Sequence, residues 1–178
     1  MYQPAEDSLL LEKHAEKFSR GNVLDMGTGI GIQALAASRN NSVSAILAAD
    51  IDPETVAYCK RNLKNSKIKV IQSDLFSNIS EKFDTIIFNP PYLPEEKDLK
   101  TKDKALYGGK FGYEIIEKFF IHVNKHLSKN GKILMVFSSI TGKSKVDKII
   151  KSSGFKFKQI DKQHIFFEDL YVYSIKSQ

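Results

Sequence analysis

The sequence predicts an α/β protein: a mainly parallel, seven-stranded sheet with helices on both faces and an antiparallel hairpin at its C-terminal end. Three observations predict it. Short apolar, β-rich runs alternate with helical patterns from Asn22 to Gly154, which calls for crossover connections between parallel strands. A glycine cluster follows the first run at once, giving strand, tight turn and helix. The last two runs, "FKFKQIDKQ" and "FFEDLYVYSIK", have no helix between them, so they pair as a hairpin at one side of the sheet.

Taken in order, "NVLDMG" is the first strand and "IQALAASRN" the helix after the glycines. "SAILAAD" is the second strand. Asp52 then stands as an N-cap before Pro53, where a first-turn proline belongs, and "ETVAYCKRNLK" continues that helix. "KIKVIQSD" and "FDTIIF" are the third and fourth strands. "YEIIEKFFIHVNKHL" is a helix, "GKILMVF" the fifth strand, and "KVDKIIKSSG" a helix closing at Gly154. No internal repeat or linker divides the 178 residues, which suit one core spanning 1–178 as a single domain. The irregular connection from about Leu93 to Lys110 is longer than ordinary loops, so it is a candidate substrate-gating segment, with a charged solvated loop as its alternative.

Composition narrows the class of function. With 42% hydrophobic and 27% charged residues the chain has the make-up of a globular protein. No apolar run reaches the length of a membrane span, and "MYQPAEDSLLLEK" lacks the basic-then-apolar pattern of a secretory leader, so a cytoplasmic protein is expected. Cys59 is the only cysteine, so it makes no internal disulfide and reads as a small buried hydrophobe. With four histidines at no ligand-like spacing, no metal site is expected. The net charge of +6 allows an anionic partner such as RNA, but the lysines are spread along the chain as on a solvated surface.

The motifs carry the chemistry. In "LDMGTGIG", Gly27, Gly29 and Gly31 alternate between a strand and a helix, where bare backbone lets a ligand approach the helix start. A dinucleotide fingerprint needs glycine at position 32, which is Ile32. The spacing resembles instead that of class I S-adenosylmethionine (SAM) methyltransferases. Asp50 ends the second strand about twenty residues on, where a carboxylate meets ribose hydroxyls. Asp74 ends the third strand, placed to accept from an adenine amino group with Leu75 or Phe76 against the ring; a turn-forming aspartate is the alternative. The GKS of "FSSITGKSK" is not a phosphate loop, because position 137, where its first glycine belongs, is Phe137.

"FNPPYLP" spends Asn89, Pro90, Pro91 and Tyr92 at a strand exit. Prolines terminate a strand, but they also hold a turn rigid without offering competing donors. The Asn89 side-chain oxygen and the Pro90 carbonyl supply acceptors for two N–H groups, and Tyr92 supplies a flat face. The set suits a planar group bearing an NH2.

Asn-Pro-Pro-Tyr together with the glycine loop resembles the amino-methyltransferases that act on glutamine, adenine or guanine nitrogens. "YQPAEDSLLLEK" and "ALYGGKFGYEIIEKFF" narrow the likeness to the HemK-related release-factor glutamine methyltransferases in their short archaeal and eukaryotic form. The resemblance covers nearly the whole chain and implies the class I methyltransferase fold, SAM as cofactor and the Gly-Gly-Gln glutamine of a peptide-chain release factor as acceptor. It brings Glu6, Asp7, Ser8, Asp25 and Ile51 to the cofactor beside Gly27, Gly29, Gly31, Asp50, Asp74, Leu75 and Asn89. It also implies a small zinc-binding activator protein at the edge of the third strand. Ser8 departs from the usual Thr, and the N-terminal helical domain with which bacterial members grip the factor is not seen here. An adenine-directed RNA or DNA methyltransferase and an inactive binding module on the same fold are the competing readings.

Overall fold

The computed structural model of the chain describes residues 4–95 and 106–178. The expected alternation is present: α1 (Glu6–Phe18), β1 (Gly21–Met26), α2 (Ile32–Ser38), β2 (Val43–Asp50), α3 (Pro53–Asn62), β3 (Ile68–Gln72), β4 (Phe83–Phe88), α4 (Glu114–His122), β5 (Leu127–Ser138), α5 (Lys143–Ser152), β6 (Phe155–Ile165) and β7 (Glu168–Ser177). The sheet order is β3-β2-β1-β4-β5-β7-β6. The first five are parallel, and β7 runs antiparallel to both β5 and β6. The third strand therefore lies at a sheet edge, and the C-terminal hairpin closes the other side.

The strands read as continuous apolar runs because both faces are covered. Val23, Ile46, Ile87, Leu134 and Val172 pack with Leu10, Leu11 and Ala15 of α1 and Ala34 and Ala37 of α2. Their neighbours in the pleat, Leu24, Leu47, Phe88, Met135 and Tyr173, pack with Ile116 and Phe119 of α4 and Ile149 and Ile150 of α5. Among the described residues no helix is long and apolar enough to cross a membrane.

Chain order decides where a site forms. The chain leaves β1 toward β2 and β3, then returns to β4 on the other side of β1, and a crevice opens where the order reverses. Asp25 pairs with Ile87 and Met26 with Phe88, so the glycine loop and the Asn89 turn leave the sheet side by side.

The fourth helix is shorter than its periodicity predicts. It stops at His122, passes through a 3-10 turn at Val123–Lys125, and yields Leu127 to β5. The ladder decides this: Phe83 N donates to His126 O at 2.8 Å and Phe83 pairs with Leu127, so strand pairing captures residues of helical propensity.

Gly31 has φ +89°, and a Cβ there would lie 2.6 Å from Leu63 Cδ1; Gly154 has φ +82° with open space around it. Gly31→Ala should therefore cost roughly 1–3 kcal/mol in urea denaturation, and Gly154→Ala only the backbone penalty of about 1 kcal/mol. Equal costs would show that Leu63 gives way freely.

Candidate active site

Two elements meet at the glycine loop. Gly29 N donates to Asp50 Oδ2 at 3.0 Å, tying the loop after β1 to the end of β2. Asp52 N donates to the other carboxylate oxygen at 3.0 Å, while Asp52 itself caps α3 by accepting from Glu54 N. Burial raises the pKa of Asp50 above the usual carboxylate value. Each of its oxygens takes one of these N–H donors and has a second lone pair for a hydroxyl. A Cβ on Gly29 would meet nothing within 4 Å, and one on Gly27 only the Asn89 carbonyl at 4.0 Å, so bare backbone faces open space. This fits a cofactor laid across the loop.

Asp25 lies beneath that loop. Its Oδ2 accepts from Thr28 Oγ1 at 2.6 Å and Ala34 N at 3.0 Å, which fastens the loop to the first turn of α2. Burial pushes its carboxyl up to about 7. Cys59 is buried as expected, and its thiol donates to Gly29 O at 3.0 Å.

On the far side of Asp50, Ile51 is exposed and Asp74 lies at the surface two residues past the end of β3. Leu75 is half-buried with φ +45°. Ser73 holds that strained turn, its Oγ donating to Leu75 O at 2.7 Å and accepting from Asn78 N at 3.1 Å. Phe76 does not face the crevice; it is buried and stacks on His126 at 4.4 Å between centroids. Of the two candidates for the adenine face, Leu75 remains.

The Asn89–Tyr92 turn is held by the start of α1. Asn89 Nδ2 donates to Asp7 Oδ2 at 3.1 Å and Ser8 Oγ at 3.2 Å, and Tyr92 OH donates to the same Asp7 oxygen at 3.1 Å. Gln33 Nε2 fixes the helix start by donating to Ser8 O at 2.8 Å. Asp7 and Ser8 are buried, and Glu6 stays exposed. Because its nitrogen is committed, the Asn89 carboxamide has one orientation. Its Oδ1 is buried without a hydrogen-bond partner among the described residues, as is Gln33 Oε1. An orphaned buried acceptor typically costs about 1–3 kcal/mol, and an incoming N–H relieves it.

Spacing alone does not reveal four residues that shape the Asn89–Tyr92 turn. Gln33 is one. Thr141 Oγ1 donates to Tyr92 O at 3.1 Å. A Cβ on Gly108 would collide with the carbonyls of Pro91 and Gly112, and one on Gly112 with that of Tyr92. The chain returns here because Leu93 N donates to Leu106 O and Gly108 N to Leu93 O, each at 3.0 Å. Three glycines within five residues, Gly108 to Gly112, were the available signal. Of the Leu93–Lys110 segment, residues 96–105 lie outside the described residues.

The model of the methyltransferase small domain matches residues 6–166. The chain belongs to that family. A Methanocaldococcus jannaschii relative provisionally named a protein N5-glutamine methyltransferase is 37% identical over 177 residues, covering 97% of this methyltransferase and 89% of its own length. A tRNA1(Val) (adenine(37)-N6)-methyltransferase of Haemophilus influenzae is 30% identical over 156 residues, with 83% and 65% of the two chains covered. Among solved structures, a chain of the E. cuniculi Mtq2–Trm112 complex, responsible for methylation of the translation termination factor eRF1, superposes with a TM-score of 0.79. That match has 21% identity and covers 99% of this methyltransferase and 98% of that chain. It shows the seven-stranded methyltransferase fold.

A carboxyl raised toward 7 binds protons in the folded state that the unfolded chain has lost, so its stability contribution falls as pH rises through about 4 to 7. Asp25→Asn keeps a carbonyl for Thr28 and Ala34 and removes the titration. In urea denaturation the wild type should lose stability relative to the variant by up to about 1.4 kcal/mol per pH unit in that window and hold level above it. A difference independent of pH would mean that Asp25 is ionised throughout.

Proposed function

We propose that this methyltransferase transfers the methyl group of SAM to the side-chain amide nitrogen of a glutamine, the Gly-Gly-Gln glutamine of a peptide-chain release factor. The observation that carries the reading is the buried Asn89 Oδ1 without a partner, aimed by two bonds on its own nitrogen. Gly27 and Gly29 would lie along the cofactor, Asp50 would accept from its ribose hydroxyls, and Ile51, Asp74 and Leu75 would border its adenine. When bound, SAM supplies an activated methyl group on a sulfonium that leaves as a neutral thioether.

The chain's own task is to hold a weak nucleophile in line. An amide nitrogen has its lone pair delocalised, and positive charge develops on it as the new bond forms. Asn89 Oδ1 accepts one of its N–H groups and the Pro90 carbonyl the other, these bonds strengthen as the charge grows, and one of the two protons passes to water once the methyl is bound, leaving a neutral N-methyl amide. Asp7 contributes through both donors it accepts: its negative charge polarises the Asn89 carboxamide and fixes the Tyr92 ring beside it. Pro90 and Pro91 keep the turn rigid, so little reorganisation accompanies the reaction.

The M. jannaschii relative's name supports glutamine, and the eRF1-methylating complex supports a termination factor. That complex contains a second protein, Trm112. A small zinc-binding activator would add a strand to the β3 edge of the sheet, whose outer ladder has no neighbour among the described strands. The H. influenzae relative keeps adenine as the rival acceptor.

Asn89→Ala should lower single-turnover rates about a hundredfold or more while SAM affinity by calorimetry stays near wild type. Asp50→Ala should do the reverse, weakening SAM binding with chemistry recovered at high SAM. Weak SAM binding with normal saturated turnover in Asn89→Ala would remove that residue from the acceptor site.

Labelled SAM offered to a release factor and total RNA in one tube should label the factor, and changing its Gly-Gly-Gln glutamine to Ala should abolish the label. Salt-sensitive labelling of RNA beside an unmodified factor would establish the adenine reading instead.

A further inference from the structure

The turn between β6 and β7 contains Phe166 and Phe167, which are 88% and 100% exposed. Neither the fold nor the turn asks for them. Phe166 has φ +40°, a left-handed conformation that a bulky residue disfavours. Two-residue hairpin turns with a positive φ at the first position favour glycine there.

The hairpin tip leaves the sheet at the same end as the Asn89–Tyr92 turn, with β5 and β7 between them. Glu168 accepts a hydrogen bond from Ser138 Oγ, and Asp169 N donates to Ser139 Oγ at 3.0 Å. Two residues on, Thr141 holds the Tyr92 carbonyl. The other strand of the hairpin is joined to α1 by the His14–Asp161 pair at 2.8 Å and by Ile165, which packs in the cluster containing Leu10 and Leu11. The tip is thus fastened to the two elements that orient Asn89 and Tyr92. Of the eight large apolar side chains exposed among the described residues, three more lie on segments bonded or packed to the Asn89–Tyr92 turn: Leu9 in α1, Phe111 beside Gly112 and Ile140 beside Thr141.

Resting on the function proposed above, the geometry points to Phe166 and Phe167 as the docking element for the protein that carries the methyl-accepting glutamine. A glutamine flanked by glycines offers its enzyme almost no neighbouring side chains, so discrimination has to come from surface beside the mouth. The exposed rings supply apolar area there, and the strained turn keeps them outward. A nucleic-acid partner is disfavoured at this tip, because Glu168 follows the rings and the basic side chains of Lys162 and His164 are both committed to Asp169, at 2.9 and 3.0 Å.

The test is the double variant Phe166→Gly/Phe167→Ser, assayed with full-length release factor as methyl acceptor. KM for the factor should rise about tenfold or more, with kcat at saturation within about twofold and SAM affinity unchanged. The urea midpoint should not fall, because glycine relieves the turn. An unchanged KM, or a wild-type dimer that the variant converts to monomer in sedimentation, would overturn the docking role. A wild type that leaves the factor unmodified both alone and with the activator protein would overturn the parent function and the docking role with it.

Discussion

The carboxylate of Asp7 is the constraint on which the geometry around Asn89 and Tyr92 depends. One of its oxygens accepts from Asn89 Nδ2 and Tyr92 OH, residues 82 and 85 positions away in the chain. A carboxamide is close to symmetric in shape, and only its bonding decides which end points where. By taking the nitrogen, Asp7 and Ser8 leave the oxygen as the end without a partner among the described residues. A buried carboxylate needs donors, and here the groups that stabilise it are the ones it orients.

That arrangement requires α1 to be in place. Its apolar side packs on the same sheet face as α2, and Gln33 of α2 binds the Ser8 carbonyl. The first turn of α1 is thereby carried over the ends of β1 and β4. Those two strands are neighbours only because the chain reverses direction across the sheet at this point. The same adjacency sets the glycine loop next to Asn89, so the loop and the Asn89–Tyr92 turn share one crevice. Asp50 and Asp25 hold the loop from two sides, Asp50 through Gly29 and Asp25 through Thr28 and Ala34.

Strain and close approach cluster around this crevice. Leu75 adopts a left-handed conformation where β3 ends, held by the Ser73 hydroxyl. Gly108 and Gly112 allow the returning chain to touch the carbonyls of the Asn89–Tyr92 turn, where any side chain would collide. Thr141 holds the same turn from beyond β5. The turn is therefore supported by three segments far apart in sequence, and its prolines add local stiffness to a position that packing has already set.

The sequence by itself determined what local spacing and periodicity encode. The strand–glycine–helix unit, Asp50 at the end of β2, the Asp52–Pro53 helix start and the C-terminal hairpin all follow from residues close together in the chain, because such features depend on backbone conformation within a few residues. Asn-Pro-Pro-Tyr was legible for the same reason. Only the tertiary structure decided the bonds of Asp7 to Asn89 and Tyr92, the contact of Gly108 and Gly112 with the turn, Phe76 in the core instead of the crevice, and the end of α4 at His122. Each of these is a contact between distant segments, fixed by which strand lies beside which and by how the two faces fill. No spacing along the chain records that.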